Sequence, residues 1–145
     1  MKTTFLPDVN VWVALVFDHH DHHAAALSWV KTVDDDNLAF CRMTQQGLLR
    51  LATNSRVLQE HVLTLSAAWA MYDRIIGDFR VLFAPEPPEI ELEWRQLTRS
   101  NQPSTHVWND AYLAAFAACA GFEIVTFDGA FEQFKLDRCT ILTQL

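Results

Sequence analysis

Short apolar runs of strand length alternate along the chain with longer segments whose apolar residues recur at helical spacing. Residues 3–8, TTFLPD, read as a first strand with Asp8 at its carboxyl end. Residues 10–17 follow as one or two buried helical turns. Asp21 is the expected N-cap of the next helix, where Ala25, Ala26, Trp29 and Val33 share one face. Residues 34–37, DDDN, make a turn, and 38–42, LAFCR, a second strand. Thr44 then caps a helix that points Leu48, Leu49 and Leu51 inward, and the polar stretch 54–61 is a loop. Thr64 or Ser66 opens a helix that Gly77 closes. Residues 80–84 form a strand, 85–100 a helix with prolines near its start, and 101–105 a loop. An alanine-rich helix over 107–120 stops at Gly121. The strand at 123–128, EIVTFD, ends in Asp128. Residues 129–134 give a short helix or turn, and 140–142 a last edge strand.

This alternation predicts a single α/β domain over residues 1–145, with a mainly parallel sheet covered by helices. The length suits one sizeable core, and a chain that is half hydrophobic can bury enough apolar surface to offset chain entropy. Cys41, Cys119 and Cys139 are odd in number and widely spaced, which points to reduced thiols rather than a disulfide framework. The longest clean apolar run, Val11–Phe17, is too short to span a bilayer. Asp8 interrupts the N-terminal apolar stretch too early for a signal peptide. A soluble, cytoplasmic protein without a membrane partner is expected.

Charge changes the picture. Eleven Lys and Arg stand against 18 Asp and Glu, a net charge of -7. That argues against a simple basic-patch nucleic-acid binder, but leaves room for an enzyme that reaches phosphate through a cation. Asp8 and Asp128 each end a strand, and in open parallel sheets sites lie beyond the carboxyl ends of strands. Two carboxylates on that edge repel unless a cation or a proton sits between them. Asp110 is the third, in the first turn of the alanine-rich helix, where the helix dipole favours an anion. Three hard oxygen ligands from separate segments suit Mg²⁺ or Mn²⁺, which can polarise a phosphodiester and activate a water. Taken singly, each acid has another reading: Asp8 as a buried cap, Asp110 as a helix cap, Asp128 as the start of a turn before Gly129.

The segments LPDVNVWVAL, MTQQGLLRLATN, WNDAYLAAFA and GFEIVTFDGAF, in that order, resemble the PIN-domain ribonucleases, specifically the VapC-type toxins of toxin–antitoxin pairs. The resemblance implies a three-layer α/β/α sandwich with a mainly parallel central sheet. It also implies a Mg²⁺- or Mn²⁺-dependent endoribonuclease restrained by a cognate antitoxin, with Asp8, Asp110 and Asp128 as the metal-site acids. Many members place a Glu at the start of the helix after the second strand. Here that region reads Met43-Thr44-Gln45-Gln46-Gly47, and Gln45 fills the slot, keeping an oxygen acceptor but losing the charge. Gln45 is therefore the fourth candidate catalytic residue, and Glu60 is another acid that could fold in. The neutral Gln45 also supports an alternative: a weak or inactive PIN-like module that binds RNA or an antitoxin without cutting.

Arg50, five residues beyond Gln45, is a candidate phosphate contact, or else the partner of a nearby acid. Arg42, Arg50 and Arg56 make residues 42–56 the one locally basic segment, an RNA approach path or a solvated face. Thr126 shares its side of the strand with Asp128, so it is counted with Arg50 among the RNA-facing residues. Its hydroxyl could equally hydrogen-bond a metal-site carboxylate, or the side chain could simply fill space. His106, four before Asp110, could meet RNA or be an ordinary surface histidine. HHDHH, residues 19–23, looks like a zinc tract but lacks nearby further ligands, so a solvated or capping role is favoured. The apolar residues of 64–100 are mostly core, and an exposed remainder suits an antitoxin helix or a homodimer face. A phosphatase using Asp8 as nucleophile would want a second Asp at position 10, where Asn10 stands.

Overall fold

Five short strands, all parallel, form the middle layer in the order β3-β2-β1-β4-β5. The computed structural model describes residues 2–144. Its elements are β1 (Thr4–Pro7), α1 (Val9–Val16), α2 (His23–Val33), β2 (Asn37–Phe40), α3 (Arg42–Ala52), α4 (Ser55–Leu58), α5 (Leu65–Ile76), β3 (Val81–Phe83), α6 (Ile90–Leu97), α7 (Val107–Ala120), β4 (Glu123–Thr126) and β5 (Cys139–Ile141). Short 3₁₀ turns lie at Gln59–His61 and Gly129–Phe134.

Strand alternation builds the sandwich. Successive side chains point to opposite faces. Leu6, Ala39, Leu82 and Ile124 turn toward α6, α7 and the 129–134 turn, while Phe5, Leu38, Phe40 and Val81 turn toward α1, α2, α3 and α5. The sheet is thus covered on both faces, giving the three-layer α/β/α sandwich. Trp12 of α1 stacks on Phe40 of β2 with ring centroids 3.9 Å apart, tying helix layer to sheet. Leu6, Phe40, Phe116 and Ile124 are almost wholly buried, each worth roughly 1.5–3 kcal/mol in transfer free energy. Among the described residues, no helix is long and apolar enough to cross a membrane. The three cysteines are free.

Several local expectations shift. α2 begins at His23 rather than after an Asp21 cap. α3 starts two residues before Thr44: Cys41 is the N-cap, and the Thr44 hydroxyl accepts the Cys41 N–H at 3.0 Å. Thr44 therefore closes the helix start from inside it. The loop expected at 54–61 contains the single turn α4, which Asn54 caps through its side chain. α6 is shorter than the 85–100 pattern, because the prolines before it hold the chain outside the helix. Thr64 does cap α5, and Gly121 ends α7 at φ 72°, a left-handed conformation that favours glycine.

The order of strands places a switch at β1. From β1 the chain moves out through β2 to β3, then returns through α6 and α7 to β4 on β1's other side. Pro7 of β1 lies opposite Val125 of β4, and the Asp8 N–H donates to the Val125 carbonyl at 2.8 Å. Both strands therefore run out side by side at one edge, where α/β sheets place their ligands. α3 approaches α1 closely there. A Cβ on Gly47 would stand 2.5 Å from Val9 Cγ2 and 3.2 Å from Cγ1. Val9 is β-branched and cannot swing away easily. Gly47→Ala gains about 1 kcal/mol of helix propensity but overpacks this contact by roughly 1–3 kcal/mol. A net loss of stability in urea unfolding is expected, and a net gain would contradict the contact.

Candidate functional site

Asp8 is fixed by the turn from β1 into α1. It caps α1: its Oδ1 accepts the Val9 N–H at 2.8 Å, and its carbonyl accepts the Val11 and Trp12 N–H groups. The bland reading of Asp8 as a cap is thus correct, but it uses only one carboxylate oxygen. The other, Oδ2, accepts the Thr126 hydroxyl at 2.9 Å and lies 3.4 Å from Asn10 Nδ2. Thr126 in turn accepts the Asp128 N–H at 3.0 Å and Asn10 Nδ2 at 3.3 Å. Asn10 Oδ1 accepts the Phe127 N–H at 3.2 Å. One threonine and one asparagine therefore lock the β1–α1 turn to the end of β4.

Asp128 caps the 3₁₀ turn that follows, accepting the Ala130 N–H at 2.9 Å. Asp110 enters from the first turn of α7. The three acids line one cleft of about 350 Å³ together with Asn10, Asn109, Val9 and four residues of α3: Met43, Gly47, Arg50 and Leu51. None of the three has an ion-pair partner among the described residues.

The electrostatics record that lack. Burial drives the Asp8 carboxyl above its ordinary value. The hydrogen bonds from Thr126 and Val9 pull it back, and the Asp128 charge pushes it up again. Asp110 is pushed up to about 6, first by burial and then by the charges of Asp8 and Asp128. Negative charge is gathered here without an ion pair to any of the three acids among the described residues; Arg50 stands at the rim. Among these residues no group of three or more His, Cys, Asp and Glu side chains stands close enough together to hold a metal ion. The donor chemistry nevertheless fits a hard divalent cation. It offers three carboxylate-bearing segments, no thiolate or imidazole in the lining, and an open cleft with room for water.

Not every candidate reaches the cleft. On α3 the lining residues 43, 47, 50 and 51 follow helical spacing, and Gln45 falls on another face. Gln45 is buried, accepts Arg42 Nη1 at 2.6 Å and lies against the Tyr72 hydroxyl. The structure thus does not bring it into the lining that the three acids share; on α3, Gly47 is where the backbone closes on Val9. Thr126 is fully buried, so it positions a carboxylate and cannot meet RNA. Arg50 is exposed at the cleft's rim, with no ion pair among the described residues. Glu60 lies outside the cleft, 3.6 Å from His61. The histidine tract forms no metal group among the described residues: His23 Nδ1 meets the Ala14 carbonyl at 2.7 Å, and His19 stacks on His61. Asn10, Asn109 and Gly47 were not singled out from sequence for the site. An Asn two residues after Asp8 in an apolar run was the one available signal.

The sequence profile of the PIN domain matches residues 5–136. The chain is 45% identical over 134 residues to ribonuclease VapC41 of Mycobacterium tuberculosis, covering 89% of this chain and 92% of that protein. Its fold is similar to that in the crystal structure of VapBC2 from Rickettsia felis bound to a promoter DNA fragment, with a TM-score of 0.68, 12% identity and coverage of 97% of this chain and 100% of that one. It is also similar to VapC20 of Mycobacterium tuberculosis, a sarcin–ricin loop cleaving toxin, with a TM-score of 0.65, 18% identity and coverage of 88% and 92%.

The raised carboxyls give a pH signature. Because the folded value of Asp110, about 6, exceeds the ordinary 3.8, the folded chain holds more proton between those values than the unfolded chain. Stability therefore falls as pH rises through that window. In EDTA, Asp110→Asn should melt higher than the parent at pH 7–8. The gap should close on acidification to about pH 4, as read by thermal melts. A gap that widens toward acid would contradict the crowding of charge.

Proposed function

We propose that this chain, which belongs to the PIN-domain family and is homologous to VapC-family toxins, is a Mg²⁺- or Mn²⁺-dependent endoribonuclease toxin. The observation that carries this reading is the meeting of Asp8, Asp110 and Asp128, from three separate segments, in one cleft at the switch between β1 and β4, without a cationic partner among the described residues.

Asp8, Asp110 and Asp128 would hold the ion. Bound there, it would supply Lewis acidity toward an RNA phosphodiester and make a water a better nucleophile. The chain's own residues do the rest. Thr126 and Asn10 hold Asp8 in one orientation, which spares the site reorganisation when charge develops. Arg50, at the rim and without an ion pair among the described residues, offers a guanidinium to a phosphate of the strand. Gln45 anchors Arg42 through a hydrogen bond and contributes to the shape of α3 rather than to the cleft. The neutral residue at position 45 therefore removes no charge from the three acids, which weakens the alternative of a non-cutting module.

As partners we assign an RNA substrate, a cognate antitoxin and a second copy of the chain, acting in the cytoplasm. In support, Leu65 and Trp69 of α5 are exposed beside a groove that shares Arg50 with the acidic cleft. A partner seated there could reach the acids' rim.

The test is cleavage of RNA by purified protein. Mg²⁺ or Mn²⁺ should support it and EDTA should stop it. Asp8→Asn should abolish it, and Thr126→Val should lower it by roughly 10–100-fold, the usual loss when a ligand's orienting partner is removed. Undiminished cleavage by Asp8→Asn, with parental folding by circular dichroism, would overturn the assignment.

A further inference from the structure

Asp8 and Asp128 are tied down where they stand. Each caps the turn that carries it, and Thr126 bonds to both residues. Asp110 has no such hold: its side chain makes no hydrogen bond among the described residues. α7 begins at Val107 without a side-chain cap from His106, and the preceding residues 99–106 are all exposed. An uncapped first turn leaves its backbone groups to other partners and frays easily. What reaches this turn is Trp94 of α6. Its Nε1 donates to the Trp108 carbonyl at 3.1 Å. Its ring meets Trp108 at 87° with centroids 6.2 Å apart, and Tyr112 at 82° with centroids 5.4 Å apart. Trp108 and Tyr112 are one helical turn apart and share a face of α7; Asp110, midway between them, lies on another. Trp94 therefore grips the turn from behind while Asp110 lines the acidic cleft in front. The carbonyl it grips is the one the helix offers to the Tyr112 N–H, so the indole supports the bond that closes the first turn. Tyr112 is held a second time, its hydroxyl donating to Glu86 Oε1 at 2.6 Å. Ala111 packs the turn inward, but a methyl group gives no directional hold.

We propose that Trp94 is a positioning residue for Asp110: through the Trp108 carbonyl it fixes the first turn of α7, and with it the carboxylate, against the repulsion of Asp8 and Asp128. The inference rests on the metal-nuclease reading and assigns a support that no residue lining the cleft supplies. Two like charges push Asp110 away from the other acids. Mg²⁺ demands near-ideal octahedral geometry, so a turn that frays would cost affinity for it. A donor outside the cleft meets this need without placing another charge among the acids, because an indole N–H is neutral. Trp94 touches neither the acids nor the cleft; it acts through the backbone that carries Asp110.

The test uses the full chain. Trp94→Phe keeps an aromatic ring and removes the donor. In EDTA, amide hydrogen exchange at Ala111 and Tyr112 should quicken about fivefold in this variant, with the amides of β1 and β4 unchanged. By calorimetry its Mn²⁺ affinity should fall about tenfold. In RNA cleavage at limiting Mn²⁺, kcat should fall with KM for RNA little changed, and excess Mn²⁺ should restore it. Leu97→Ala loosens the packing of α6 without touching the hydrogen bond. It should lower the melting temperature and leave Mn²⁺ affinity as in the parent. If the parent binds Mn²⁺ and cleaves, and Trp94→Phe exchanges, binds and cleaves as the parent does, the inference fails and the nuclease reading stands. If Leu97→Ala weakens Mn²⁺ binding as much as Trp94→Phe, Trp94 is only a packing residue and the inference fails. If exchange at Ala111 and Tyr112 quickens locally while the parent neither binds Mn²⁺ nor cleaves, the hold on Asp110 stands and the nuclease reading fails.

Discussion

Uncompensated negative charge at the carboxyl edge of the sheet is the constraint around which the rest of this domain is arranged. Asp8, Asp110 and Asp128 face one cleft, and burial plus mutual repulsion raises two of their carboxyls. Such an arrangement costs folding free energy. The domain tolerates it because each acid is carried by a turn or helix start that is stable for other reasons. Asp8 caps α1, Asp128 caps the 3₁₀ turn, and Asp110 sits where α7's dipole favours an anion.

The sheet order makes the encounter possible. Because the chain leaves β1 in one direction and returns on its other side, the ends of β1 and β4 lie together. Thr126 and Asn10 then convert neighbouring strand ends into one rigid unit, bonding across it in both directions. Gly47 supplies the matching approach from α3, bringing its backbone against Val9 with no Cβ between. Dense packing behind the edge, with Trp12 against Phe40 and Phe131 against Phe134, leaves the acids little freedom to separate.

Much of this was legible in the sequence, and the reasons are specific. The strands leading to Asp8 and Asp128 could be read from their apolar runs, although β4 ends at Thr126, two residues before Asp128, and Gly121 marked the end of α7 because its left-handed conformation closes that helix easily. Parallel order followed from alternation of strand and helix. Gln45 was matched to a motif's slot by residue type, whereas the face of α3 that meets the cleft is set by packing, and Gln45 turns to Arg42 and Tyr72. Asn10 escaped because its partners, Thr126 and Phe127, lie more than a hundred residues away. The pairing of Trp94 with Trp108 is also tertiary: the two lie on separate helices with a loop between them, so spacing along the chain does not bring them together.

The chemistry follows from the same economy of charge. An acidic chain can work on a polyanion only if a cation mediates and local groups do the gripping. The most direct check of the convergence is calorimetric titration of Mn²⁺ into the full chain at pH 6 and pH 8, in two buffers of different ionisation enthalpy. The account predicts binding that is lost in Asp110→Asn and Asp128→Asn, with net proton release at pH 6 that disappears at pH 8, since Asp110 ionises near 6. Binding of equal strength in the parent and both variants, or no binding by the parent at either pH, would contradict it.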